Sequence, residues 1–157
     1  MRLGVLGGTF DPIHLGHLLL AEEAREELGC DRVLIVPAAR PPHKPDRVLT
    51  PYPQRFRMVE LALAGMEGLT ASELERSAAA PSYTVETLRR LHAETPGLDL
   101  WLVLGGDSLE EVPTWREPGE IGRLARLAVY PRPGWDAFSR GGPKSPPWIA
   151  EWEEAGR

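Results

Sequence analysis

The stretch from Arg2 to Val36 constrains the fold of this chain more than any other. A short apolar run, Arg2 to Leu6, ends at Gly7-Gly8, the pattern of a buried strand followed by a tight turn. Apolar residues at Leu15, Leu18, Leu19, Ala21, Ala24 and Leu28 then form one helical stripe, which Gly29 stops. Val33 to Val36 is apolar throughout and reads as a second buried strand. Strand, helix, strand in this order is a βαβ unit, whose crossover helix makes its two strands parallel.

The alternation continues downstream. Between Pro37 and Pro53 lie six prolines, counting both, with Arg40, His43, Lys44 and Arg47 among them, an irregular basic loop. Thr50-Pro51 marks a helix start, with Thr as cap and Pro in the first turn, and that helix runs to about Ala64 before Gly65. Leu69 to Leu74 is a weaker strand candidate. The spacing of Val85, Leu88 and Leu91 predicts a helix from Tyr83 to Ala93, ended by Pro96-Gly97. Leu98 to Leu104 reads as a strand entering Gly105-Gly106-Asp107, and Leu124 to Tyr130 as a last strand stopped by Pro131 and Pro133. Continuous apolar strands alternating with helices predict an α/β fold: a Rossmann-like, doubly wound parallel sheet of about five strands in a three-layer αβα arrangement. There is no internal repeat.

A chain of 157 residues suits one domain with a substantial core. The expected division is residues 1–134 as that domain and 135–157 as an atypical C-terminal tail, not an independent domain. A formal net charge of −5 argues against function through a broad basic surface, so neither a nucleic-acid nor a membrane partner is expected. A phosphate pocket needs only a few placed donors. The apolar runs fall far short of a membrane span, the N-terminus has no secretory signal pattern, and Cys30 is the single cysteine; together these predict a cytoplasmic protein. The chain has no Asn and only two Lys against sixteen Arg, a bias that a thermophile or a GC-rich genome would equally produce. Nothing in the sequence specifies an oligomeric state.

The chemistry concentrates at the first turn. Gly7, Gly8 and Thr9 allow the backbone to approach a phosphate, and the helix beginning near Leu15 offers unpaired N–H groups with a partial positive charge. Gly-Gly alone would also suit an ordinary tight turn. The spacing is not G-x-G-x-x-G, which disfavours a dehydrogenase. His14 and His17, three apart at the helix start, share nearly one face, so two imidazoles can address one phosphoryl group, and Gly16 leaves room for it. Two alternatives stand beside this reading. One is a metal pair, which would need further ligands, with Cys30 at the far end of the helix and His43 in the loop. The other is a pair of unrelated surface histidines.

The segment GGTFDPIHLGH, Gly7 to His17, resembles the signature of the HxGH nucleotidyltransferase superfamily. PPHK at Pro41 to Lys44, SYTVETL at Ser82 to Leu88, GGDSL at Gly105 to Leu109, Trp115, and RPG at Arg132 to Gly134 follow in the order and spacing of its nicotinate-nucleotide adenylyltransferases. The resemblance covers roughly Met1 to Gly134 and draws its specificity from the whole ordered set. It implies adenylyl transfer from ATP to nicotinate mononucleotide, giving nicotinate adenine dinucleotide and pyrophosphate for NAD biosynthesis, with Mg2+ accompanying the ATP. On this resemblance His14 and His17 are catalytic. Gly7, Gly8, Thr9, Phe10, His17, Gly105 and Asp107 bind ATP, with Asp107 on the ribose. Lys44, Thr84, Trp115 and Arg132 bind the pyridine mononucleotide, and no metal site of protein ligands is implied.

The residues carry readings of their own. Lys44 is a compact ammonium in a chain that writes nearly every cation as Arg, which suits a phosphate contact, although a solvated loop lysine is the plain alternative. Asp107 with Glu110 reads as an N-cap and its capping-box partner, a role compatible with a ribose contact. Thr84 offers helix-start backbone to a carboxylate and Trp115 an indole for stacking, or each is local structure or core. Arg132 meets phosphate or solvent. His43 reads as structural, and Arg55 and Arg57 as a solvated helix face.

The pattern breaks past Gly134. The family carries there a segment of the form ISSTxIR that opens a late helix and holds the triphosphate, whereas Trp135 to Arg157 contains none. A truncated or frame-shifted chain, an altered one, or substitution by Arg140, Lys144 and Ser145 would each account for this. Trp148, Ile149 and Trp152 make at most a short amphipathic turn with no place in the sheet. The expectation is a chain that folds and binds nucleotide but turns over poorly. Nicotinamide mononucleotide as substrate, and nucleotide binding without catalysis, are the alternative functions.

Overall fold

The apolar runs of the sequence become strands of one parallel sheet. The computed structural model describes residues 1–43, 48–77 and 79–130. The order of elements is β1 (Arg2–Gly8), α1 (Leu15–Glu27), β2 (Arg32–Pro37), α2 (Tyr52–Ala62), β3 (Leu69–Ala71), α3 (Thr84–Glu94), β4 (Asp99–Gly105), α4 (Gly106–Glu111), a 3-10 turn (Val112–Thr114), α5 (Pro118–Leu124) and β5 (Arg126–Tyr130). The five strands lie in the order β3-β2-β1-β4-β5, every neighbouring pair parallel. Among the described residues no helix is long and apolar enough to cross a membrane.

Alternation along each strand splits the core into two layers, because successive side chains point to opposite faces. Leu3 and Val5 of β1 and Leu100, Leu102 and Leu104 of β4 pack with Val85, Leu88 and Leu91 of α3 and Ile121 of α5. On the other face Leu6, Val33, Ile35 and Val103 pack with Ala21 and Ala24 of α1 and Val59 of α2. Leu88 and Ile121 are fully buried, and each such side chain contributes on the order of 1.5–3 kcal/mol. These are the three αβα layers read from the alternation of strands and helices.

The chain runs outward from β1 to β3, then returns to place β4 on the opposite side of β1. That reversal opens a crevice at the carboxyl ends of β1 and β4, where open α/β sheets bind ligands. Leu3 pairs with Leu100 and Val5 with Leu102, so Gly7-Gly8 and Gly105 emerge at the same edge of the sheet.

Several local expectations change. Leu124 closes α5 instead of opening β5, and β3 is limited to Leu69–Ala71. Thr50 does not cap α2: Pro51 stands at the cap position, and the Thr50 N–H donates to Asp11 Oδ2 at 2.9 Å. Asp107 is not an N-cap either. Gly105 takes that place with extended backbone, φ −73° and ψ 156°, which puts Asp107 inside the first turn of α4. There its carboxylate still complements the helix dipole.

Candidate active site

Gly7 and Gly8 end β1, and the chain then turns sharply. The backbone carbonyl of Gly8 accepts from the Ala38 N–H at 2.9 Å, tying the turn to the end of β2. A Cβ on Gly8 would lie 3.0 Å from the Phe10 ring, so only glycine fits without displacement there. Phe10 takes a left-handed φ of 49°, a conformation costly for a bulky residue and found where the surroundings impose it. Its side chain is 3% exposed and belongs to the α1/α2 core layer, so what Phe10 can offer a ligand is backbone.

His14 is the residue before α1, with extended backbone. Its N–H donates to His17 Nδ1 at 3.2 Å, and the two rings stack with centroids 3.8 Å apart. The Phe10 ring meets His17 edge-on at 4.9 Å. A ring nitrogen that accepts from backbone carries no proton itself, so neutral His17 holds its proton on Nε2. The two histidines are thus a stacked pair at a helix start, not unrelated surface residues.

A cavity of about 260 Å³ occupies the crevice. Gly7, Gly8 and Thr9 from the end of β1, Gly105 from the end of β4, and Ser82, Tyr83, Thr84 and Thr87 from the start of α3 line it. Trp115, carried just past the 3-10 turn, also lines it and faces His43 with ring centroids 6.4 Å apart. The Trp115 Nε1 is buried with no acceptor among the described residues. Arg40 and Ser82 exchange hydrogen bonds, Ser82 N–H to Arg40 carbonyl at 2.9 Å and Arg40 N–H to Ser82 Oγ at 3.2 Å. That exchange fixes the start of α3 against the loop after β2. The Glu86 and Thr87 N–H groups donate to the Tyr83 carbonyl at 3.1 and 3.3 Å, which leaves those of Thr84 and Val85 without an intrahelical acceptor at the end of α3 that lines the cavity.

Gly7, Gly8, Thr9, Thr84, Gly105 and Trp115 therefore share one enclosure. His14, His17 and Phe10 belong to the segment that continues from its Gly8-Thr9 side, and Asp107 to the first turn of α4; none of the four is among the cavity-lining residues. Lys44 and Arg132 lie outside the described residues, as do the RPG segment, Arg140, Lys144, Ser145 and the whole 135–157 tail with Trp148, Ile149 and Trp152. Among the described residues no group of three or more His, Cys, Asp or Glu is placed to hold a metal ion.

Two residues of the site were not read from the sequence. Glu75 lines the cavity and accepts from Thr87 Oγ1 at 2.5 Å; burial raises its carboxyl above the ordinary range while the Thr87 bond opposes the shift. Arg55 overturns the expectation of a solvated face: it is 1% exposed. Its Nη1 donates to the carbonyls of Thr9 at 2.7 Å and Ala38 at 2.9 Å, and its Nε to that of Thr50 at 2.8 Å. Burial lowers its pKa from the ordinary value, the Asp11 carboxylate opposes this, and the Tyr52 ring lies 5.7 Å beneath it. A signal existed, since Arg55 precedes the buried Val59 and Leu63 at the four-residue spacing of a helix face.

A family profile described as cytidylyltransferase-like matches residues 5–154. The chain belongs to this family. Within the cytidylyltransferase-like family, a probable nicotinate-nucleotide adenylyltransferase of Thermomicrobium roseum is 47% identical over 133 residues, covering 85% of this chain and 62% of that protein. One from Pelobacter propionicus is 44% identical over 134 residues, with the same coverages of 85% and 62%. The chain thus spans about 62% of the length of these curated relatives. The fold also matches a solved Plasmodium falciparum nicotinic acid mononucleotide adenylyltransferase complexed with NaAD, with a TM-score of 0.77 at 17% identity over 96% of this chain and 70% of that one. A putative nicotinate-nucleotide adenylyltransferase from Vibrio parahaemolyticus matches with a TM-score of 0.66 at 23% identity, over 84% and 77% of the two chains.

Proposed function

We propose that the chain transfers the adenylyl group of ATP to nicotinate mononucleotide, giving nicotinate adenine dinucleotide and pyrophosphate. The observation that carries this reading is the shared cavity, which joins a glycine turn suited to phosphate, a helix start suited to a carboxylate and an indole suited to a pyridine ring. The names of the relatives that are 44–47% identical support the choice of substrates.

The phosphate monoester of the mononucleotide is largely dianionic at neutral pH, its second pKa lying near ~6, so the nucleophile needs no general base. One of its oxygens bonds to the α-phosphorus of ATP as the bond to the bridging oxygen breaks and pyrophosphate departs. The protein contributes position and charge stabilisation. His17 Nε2–H donates to the α-phosphate as charge builds there, with His14 and the Gly8-Thr9 backbone alongside. Asp107 takes the ATP ribose, Thr84 backbone the nicotinate carboxylate, Trp115 the pyridine face, and Lys44 and Arg132 phosphate. We assign the divalent cation that accompanies ATP as Mg2+; it would supply charge neutralisation to the departing pyrophosphate.

The test supplies purified chain with ATP and either nicotinate or nicotinamide mononucleotide, and follows dinucleotide and pyrophosphate together. Faster dinucleotide formation from the nicotinate substrate supports the assignment. Preference for the amide would transfer it to the second substrate, and no dinucleotide from either would overturn catalysis. A second reading, nucleotide binding with little turnover, is favoured by residues 135–157, which lack the Ile-Ser-x-Thr segment. Its mark is calorimetric binding of ATP with pyrophosphate release well below the ~1 s⁻¹ common among enzymes.

A further inference from the structure

The Arg55 guanidinium has no part in the chemistry above, and we propose that it is a positioning residue that holds the Gly8-Thr9 turn in its anion-accepting form. The inference rests on the proposed binding of ATP phosphates at that turn.

Taking a guanidinium out of water is costly and is tolerated where its donors are met by acceptors of good geometry. Here the acceptors come from three separate segments: Thr9 in the turn, Ala38 just past β2, and Thr50 just before α2. A turn accepts an anion only if its N–H groups converge while its carbonyl oxygens face elsewhere. Both carbonyls of this turn are engaged. The Gly8 oxygen accepts from the Ala38 N–H at 2.9 Å and the Thr9 oxygen from Arg55 Nη1 at 2.7 Å. Ala38 is itself held by Arg55 through its own carbonyl, so the two bonds form one linked unit. Thr50 extends it, accepting from Arg55 Nε and donating its N–H to Asp11 Oδ2 two residues beyond Thr9.

The arrangement depends on a fork. A planar guanidinium reaches separate carbonyls with fixed, divergent N–H bonds, and a lysine has one nitrogen on a flexible stem. Losing the fork frees the Thr9 carbonyl to rotate toward the phosphate, placing a lone pair where a donor is needed. The effect falls on ATP, because the Thr84 and Trp115 side of the cavity makes none of these bonds.

Arg55→Lys and Arg55→Met are compared with Val59→Ala, which removes fully buried methyl groups from the same helix. ATP affinity by calorimetry, thermal unfolding and KM for each substrate are measured on the full chain. Both Arg55 variants are expected to lose about ten-fold or more in ATP affinity, as for a charge-assisted hydrogen bond, with KM for the mononucleotide changed less than about three-fold. Val59→Ala is expected to unfold earlier and keep its ATP affinity. ATP affinity that follows the melting temperature across all variants, or that stays unchanged in Arg55→Lys, would overturn the assignment. Should Arg55→Met fail to fold, the comparison of Arg55→Lys with Val59→Ala decides. A wild-type chain that binds no ATP would remove the proposed function itself, a failure distinct from that of Arg55.

Discussion

The His14 backbone N–H donates to His17 Nδ1, and the two imidazoles stack at 3.8 Å between centroids. One short helix start therefore sets both the tautomer and the tilt of His17.

His17→Ala removes the Nε2–H donor, together with the edge-on contact to Phe10. The expected loss in kcat is about 10²–10³-fold, the usual cost of deleting one preorganised donor to a developing oxyanion. Pyrophosphate release under saturating substrates measures it. Loss confined to KM would show that the ring binds ATP without favouring the transition state.

Gly16→Ala separates stability from activity. Alanine favours an exposed helix position by about 1 kcal/mol over glycine. The new Cβ would stand 3.0 Å from His14 Cε1 and 3.1 Å from its Nδ1, and the exposed His14 ring can yield by rotating off the stack. An unchanged or raised melting temperature with lowered kcat is expected.

Trp115→Ala should raise KM for the mononucleotide by an amount equivalent to about 1–3 kcal/mol of stacking, and Trp115→Phe should recover most of it. KM for ATP should hardly move. Quenching of indole fluorescence on adding the mononucleotide alone gives an independent reading.

Glu75 controls a pH dependence of stability. Its folded pKa is raised by burial, so between its unfolded value and that raised value the folded state binds the extra proton. Stability should therefore fall as pH climbs from about 4.5 through the folded pKa, a sign opposite to that of a paired surface carboxylate such as Asp99, which Arg2 holds below the ordinary range. Glu75→Gln keeps an acceptor for Thr87 Oγ1 and loses the charge. Its melting temperature should be higher at pH 7 and flatter across this window.

Much of this was legible in the chain itself. Apolar runs and glycine stops located all five strands, because period and run length are local properties. The pairing of His14 with His17 at the start of α1 was legible for the same reason, as three-residue spacing at a helix start is set by helix geometry alone. Helix α5 was not legible: Pro118 and Gly119 signal a turn, and the segment is helical where Ile121, with 0% exposure, packs into the layer it shares with α3. Asp107 lost its expected cap position because Gly105 supplies the extended backbone that ends β4.

What the sequence by itself determined is the five strands and the helices α1, α2 and α3, with the glycine turn and paired histidines at the first strand's end. The tertiary structure alone decided the strand order that makes the crevice, the meeting of Trp115 with His43, and the burial of Arg55. The reason is the same in each case. These depend on acceptors and surfaces distant along the chain, and a guanidinium reads as solvated until Thr9, Ala38 and Thr50 are brought around it.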